Sequence, residues 1–441
     1  MYTRFARPFA AFVCFAVISA GGSAAAQTAD GPPHPDEAAQ HDMSQMQHMS
    51  HDEGSMPAPR EGSGTSWLPD ETPMYAVHAR AGDWMLMTHG SAFLQYLYES
   101  GDRGSDQVGS VNWVMLMATR SAGSGRLALR GMISLEPWTI GGCGYPDLLA
   151  SGEVCNGAAI HDRQHPHDLF MELSAMYDRP IGDEVRLQLY GGPAGEPALG
   201  PVAFPHRISA MPSPLAPITH HWFDATHITY GVVTGGVYGR RWKAEASVFN
   251  GREPDDDRTN IDFAPLDSWS GRVWFVPSRR WAVQASAGRL TEAEAGRDGG
   301  PRIDVDRITA SATYHRMFAP GGIWASTFGW GRNREREGDA TNALLAESNV
   351  TLNERHTFFG RFELSQKDGH DLGVNAGEAQ DIFTVAKLQA GYTRYFAPRY
   401  SLAPGIGAGV SGGIVPESLK STYGGRITLG LGVFLTVRPG T

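Results

Sequence analysis

The stretch "RITLGLGVFLTVR", residues 426–438, decides the fold of this chain. Ile427, Leu429, Leu431, Val433, Leu435 and Val437 occupy every second position, and in an extended chain alternate side chains share one face. A helix of period 3.6 would scatter these six around its circumference. The same alternation governs "RLALRGMIS", where Leu127, Leu129 and Ile133 oppose Arg130 and Ser134. It recurs in "RWKAEASVF", where Trp242, Ala244, Ala246 and Val248 oppose Arg241, Lys243, Glu245 and Ser247. In "TFFGRFELS", Phe358, Phe362 and Leu364 oppose Arg361 and Glu363.

Extended along the chain, this pattern predicts about sixteen strands: residues 84–98, 111–120, 126–138, 168–178, 184–192, 226–239, 241–250, 268–277, 281–290, 306–317, 322–332, 342–352, 357–366, 381–396, 400–411 and 423–438. Every second join is short: "SAGSG", "RPIGD", residues 239–241, "SRR", "APGG", "NERH" and "APR". Between them lie longer joins, the longest at residues 139–167, 193–225 and 251–267. Tight turns on one rim and long loops on the other are the pattern of a membrane barrel. A soluble β-sandwich or propeller also alternates, but it requires neither alternating join lengths nor charge on one face of nearly every strand. The expected fold class is therefore all-β, a transmembrane antiparallel up-and-down barrel of about 16 strands. Trp84, Trp113, Trp242, Trp281 and Trp324, near strand ends, are expected in its aromatic girdles.

Residues 1–26 have a basic start (Arg4, Arg7), an apolar run and an Ala24-Ala25-Ala26 ending, the pattern of a cleaved secretory signal. Cys14 would leave with it. Cys143 and Cys155 remain, and in an exported chain they are expected to pair as a disulfide. A net charge of −10 without a basic run argues against a nucleic-acid partner. The expected division is a signal at 1–26, a tail at 27–73 and the barrel at 74–441.

The tail is polar, rich in Pro, Gly and Ser, and nearly without aromatic or branched apolar side chains before Trp67. It cannot bury enough surface to offset chain entropy and is expected to be disordered. It carries His34, His41, Met43, Met46, His48, Met49, His51 and Met56. Thioethers favour Cu(I), and imidazole suits Cu(II), Zn and Ni. Methionine ordinarily fills apolar cores, so its repetition in a polar tail points to capture of a metal ion, copper first. A second set of candidate ligands lies in the two longest loops: His161, His165 and His167 beside Asp162 and Asp168, then His220, His221 and His227 beside Asp224. Both loops are on the long-loop rim and are expected to fold into the barrel mouth, where these groups converge on a divalent ion or line a polar pore.

Residues 84–438 resemble an outer-membrane porin-type β-barrel of a Gram-negative bacterium. The order of parts, a Met/His-rich segment before a barrel, is similar to copper-resistance outer-membrane proteins of the CopB type. That resemblance implies the outer membrane as location, lipid and a metal ion as partners, copper as the bound ion, and a periplasmic metal carrier as a further partner. No GxSxG, HExxH or phosphate loop is present, so an enzyme is not expected. The alternatives are a general or solute-specific porin with an incidental tail, and a barrel enzyme using His165 and His167 as base.

Overall fold

The computed structural model describes residues 60–296, 300–318, 321–336, 338–374 and 381–440. The Met/His positions from His34 to Met56, and the signal, lie outside the described residues. The described residues form nineteen strands: β1 (Val77–Ala81), β2 (Trp84–Glu99), β3 (Asp106–Ala122), β4 (Gly125–Ile133), β5 (Tyr145–Cys155), β6 (Ala158–Gln164), β7 (Phe170–Ile181), β8 (Val185–Ala194), β9 (Val232–Tyr238), β10 (Trp242–Phe249), β11 (Ser268–Ser278), β12 (Trp281–Glu294), β13 (Ile303–Phe318), β14 (Gly322–Glu335), β15 (Ala340–Leu352), β16 (His356–Asp368), β17 (Ile382–Tyr395), β18 (Leu402–Ile414) and β19 (Ile427–Pro439).

Sixteen of them close a ring. Each pairs antiparallel with the next in the order β2, β3, β4, then β7 through β19, and β19 returns to β2 with Val437 opposite Ala92 and Gly430 opposite Glu99. The short β1 pairs with the first part of β2, before that seam begins, Val77 opposite Thr88 and Ala81 opposite Trp84. Strands β5 and β6 form a separate hairpin within the join from β4 to β7. All sixteen segments read from the sequence are ring strands; β1 and the β5–β6 hairpin were not anticipated.

Alternation sets what faces outward. On β19 the outward residues Ile427, Leu429, Leu431, Val433 and Leu435 are 47–67% exposed, whereas Thr428, Phe434 and Thr436 are buried on the inner side. Lys243, Glu245, Arg272, Glu347, Arg361, Glu363 and Lys387 all point inward and are buried. A greasy wall with charge inside is stable only where lipid meets the outside. No helix among the described residues is long and apolar enough to cross a membrane, which says nothing of strands. Trp242, Trp281 and Trp324 face outward beside the short turns, as expected of a girdle. Trp113 does not: it shares parity with Met115 and Met117, points inward and is 6% exposed.

A charge placed on this wall has a calculable consequence. Val433→Arg is expected to cost about 2–4 kcal/mol at the bilayer midplane, read as a lower urea midpoint for folding into lipid vesicles. An unchanged midpoint would mean that the wall does not meet lipid.

The interior is filled by the chain itself. Two segments cross it, and residues 60–72 make the first. Trp67 there is fully buried against Leu68, Val202, Tyr238, Trp274, Val276 and Ala282. Arg60 donates to the Arg240 carbonyl at 2.6 Å, Arg130 to the Gly64 carbonyl at 2.5 Å, and Lys243 to the Thr65 carbonyl. The expectation of disorder as far as residue 73 is therefore corrected for 60–72. The segment buries few apolar groups of its own, and the inward-facing cations of the wall supply the bonds its backbone needs.

The join at 195–231 makes the second. Gly200 adopts φ +83 and lies so close to the Phe223 carbonyl that a Cβ would fall 2.0 Å from its oxygen, so only glycine lets this loop fold back on itself. Arg207, fully buried, donates to Glu347 at 2.6 Å and to Asp224 at 2.8 Å, pinning the loop to β15. The β5–β6 hairpin is fastened by Lys387 to Asp147 at 2.6 Å and to the Leu148 carbonyl at 3.1 Å. The expected disulfide joins Cys143, just before β5, to Cys155 at the end of β5, with Cα atoms 5.9 Å apart.

Candidate functional site: a file of histidines in the lumen

The two loops singled out in the sequence do enter the barrel and bring their histidines together. Rings of His220 and His227 are 5.1 Å apart between centroids, His167 and His227 5.3 Å, and His165 and His220 6.5 Å. Phe204 is wedged among three of them, 5.4 Å from His220, 5.6 Å from His227 and 5.7 Å from His167. His221 abuts His220 at 5.6 Å. His161 is separate: it lies on β6, with its Nδ1 3.1 Å from the Asp371 carbonyl.

Each central imidazole has its Nδ1 fixed by an oxygen. His167 Nδ1 is 3.0 Å from the Glu136 carboxylate, His220 Nδ1 2.9 Å from Asp224 Oδ1, and His227 Nδ1 2.7 Å from the Asp224 carbonyl. An oxygen at Nδ1 accepts a hydrogen bond from the Nδ1–H, which keeps the ring proton on that nitrogen and leaves Nε2 with its lone pair, as in metal-ligating histidines. For His227 the Nε2 is buried with no hydrogen-bond partner. Glu136 is itself fully buried and also accepts from the Asn112 and His167 amides, at 3.1 and 2.9 Å. It is held by the one-turn helix Glu136–Thr139, which begins Glu-Pro, a start that proline tolerates because its missing N–H is not needed there.

Burial sets the charge of these rings. It pulls His220 down to about 4 against the opposing hydrogen bond of Asp224. It also pulls His227 and His206 well below the ordinary imidazole value. At neutral pH all three are neutral and can act as ligands or hydrogen-bond relays. His221 differs: burial lowers it, but the hydrogen bond and charge of Glu253 outweigh that and raise its pKa. Burial works against the Asp224 carboxylate, yet Arg207 and then His220 hold it ionised, well below the usual range. Asp162 and Asp168 are structural: Asp162 pairs with Arg103 at 2.6 Å and Asp168 with Arg258 at 3.4 Å.

A second group was missed in the sequence. The turn Phe204–His206 that places Phe204 in the cluster also places His206 against the barrel wall. There His206 is 4.7 Å from Trp113 and 5.4 Å from His89, between ring centroids. His89 Nε2 is 3.0 Å from the Met115 sulfur. Around them the inner faces of β2, β3, β4 and β7 carry Met87, Met115, Met117, Met132 and Met171, the last four 2–7% exposed. Elsewhere the inward positions hold Arg, Glu and Lys together with Ser, Thr and Gln. The signal was present in "WVMLMATR", where Met115 and Met117 take the parity that carries charge on other strands.

No protein-family model matches the chain, and no curated protein matches it. Several solved barrels are similar in outline. An anion-selective porin from Comamonas acidovorans gives a TM-score of 0.49 at 10% identity, covering 80% of this chain and 99% of that one. OmpF of Salmonella typhi, solved in complex with daunomycin, gives 0.47 at 11% identity, with coverage of 82% and 100%. The outer membrane channel DcaP of Acinetobacter baumannii gives 0.45 at 9% identity, with coverage of 83% and 99%. The assignment as a transmembrane β-barrel rests on the closed strand ring and its apolar exterior, to which these likenesses add no argument.

Proposed function

We propose that this barrel handles a transition-metal ion, copper first, by passing or holding it in the lumen, with the Met/His tail as the capturing segment. The observation that supports this best is the run of imidazoles through the lumen, from His220, His227 and His167 to His206 and His89, ending at a wall of thioethers. Neutral imidazole and methionine sulfur are ligands for Cu(I) and Cu(II), and a buried His227 Nε2 without a partner is the kind of atom an ion would satisfy. Successive ring centroids within each group are 5–6 Å apart, a spacing that lets an ion pass from one donor to the next through small ring rotations. Because a proton competes with the metal for each nitrogen, binding at His220 should persist at neutral pH and weaken as the pH falls toward about 4.

The rival reading is a general diffusion channel with an incidental tail. Titration of the detergent-solubilised chain with Cu(I), against a chromogenic chelator, separates the two. The metal reading expects stoichiometric binding, loss of one equivalent in the His89→Phe, His206→Phe double variant, and separate loss of other equivalents when residues 30–59 are deleted. A diffusion channel would bind no stoichiometric copper and would be indifferent to all of these changes.

A further inference from the structure

We propose that His221, Glu253 and Glu294 form a second metal site, for a divalent first-row cation of the Zn(II) or Mn(II) class, at the long-loop end of the lumen. It goes beyond the copper reading and does not depend on it. One ligand atom from each of the three residues lies within 4.8 Å of the other two. His221 Nδ1 is 3.3 Å from Glu253 Oε1, long for a charge-assisted hydrogen bond. It is close to the edge of a tetrahedron whose ligands stand about 2 Å from a central ion.

The three residues come from separate parts of the chain, and the backbone forces the two acids together. His221 lies in the helical turn His220–Phe223, Glu253 follows β10, and Glu294 ends β12. The Glu253 amide donates to the Ala293 carbonyl at 3.0 Å. Arg302 then clamps the same place, donating to the Ala293 carbonyl at 2.9 Å and the Glu253 carbonyl at 3.3 Å. Its guanidinium is thereby spent on carbonyls and not on the carboxylates. Among the described residues no Arg or Lys forms an ion pair with Glu253 or Glu294. Arg307, close by, directs its Nε to Asn333 Oδ1 at 2.9 Å.

Two carboxylates held this close repel each other; among the described residues the His221 imidazole pairs with Glu253 alone, and no hydrogen bond or ion pair reaches the Glu294 carboxylate. A divalent cation offsets that repulsion. The site opens into a cleft that is also lined by His161, His370, Asp368 and Asp371, so an ion has a polar way in and room for water as its remaining ligand. Two hard oxygens and one borderline nitrogen suit Zn(II) and Mn(II) and disfavour Cu(I). This separates the site from the thioether wall, where the preference is reversed.

Mn(II) is the probe, because methionine and imidazole alone bind it poorly. Electron paramagnetic resonance of the full chain in detergent should register one bound Mn(II), displaced by Zn(II). Glu294→Gln and Glu253→Gln, which keep side-chain volume, should each weaken it at least tenfold while circular dichroism and Cu(I) titration stay as in the parent. Mn(II) affinity unchanged in both folded variants, or no bound Mn(II) in the parent, would overturn the proposal.

Discussion

Arg207→Met is expected to free the lumen loop at 195–231 from the barrel wall and to raise single-channel conductance in a planar bilayer. Arg207 neutralises two buried acids at once, Glu347 at 2.6 Å and Asp224 at 2.8 Å, and also donates to the Val202 carbonyl at 2.9 Å. Removing one partner of a buried ion pair leaves charge without compensation and costs about 3–5 kcal/mol. Methionine replaces the length of the side chain but none of its five donors. Arg361 also reaches Glu347, at 3.2 Å, so Asp224 suffers most, and with it the His220 ring that it orients. Hydrogen exchange across 195–231 should quicken while the wall strands stay protected. Exchange and conductance equal to the parent would show that the loop is held by packing alone. The same tie has a pH signature of definite sign. The Asp224 carboxyl is lowered in the fold, so its contribution is complete above the unfolded value of about 3.9. It is lost as the pH falls below that value, where the unfolded chain takes up the proton first.

Trp67→Ala is the second large effect. Trp67 is fully buried, and the cations of Arg60 and Lys243 stand 4.9 and 5.2 Å from its ring. Truncating a buried tryptophan costs about 3–5 kcal/mol, through lost transfer energy and the cavity left behind; the two cation–π contacts are lost as well. The segment 60–72 has little else apolar to hold it, so it should become susceptible to protease while the ring remains folded. It packs directly against the second layer, with Ser63 Oγ 2.9 Å from the Ala203 amide. Because the two layers obstruct one passage in series, each single variant should raise conductance modestly. The Arg207→Met, Trp67→Ala double variant should exceed the sum of the two. Additive conductances would mean that the layers do not block the same path.

The strand ring was legible because period two is a property of each segment alone, as Ile427 to Val437 illustrate. The filling of the lumen was not, because it depends on pairings across the chain. Nothing near Arg60 or Thr65 announces Arg240, Lys243 or Arg272 as partners, although the distances are short once the cylinder closes. The loop histidines were recognised by composition, and His165, His167, His220 and His227 do meet. Their grouping around Phe204, and the diversion of His221 to Glu253, follow from turns that the sequence does not display. Trp113 was assigned to the girdle from its place near a strand end, but the face of a strand residue is fixed by parity. The parity of Met115 and Met117 would have turned it inward and disclosed the thioether wall together with it. His89 follows the same rule, since it shares the inner face of β2 with Met87 and Phe93.

The link between Cys143 and Cys155 also imposes an order of events. A sulfur–sulfur bond forms by loss of two electrons to an acceptor, and reducing compartments keep thiols from making it. The hairpin it fastens reaches into the cylinder, where Lys387 and Lys367 receive it through Asp147 and Ser151. Its final cinching must therefore wait for an oxidant. Cells deprived of their thiol oxidase would accumulate a barrel whose staves are already joined but whose inner fitting is still unlatched.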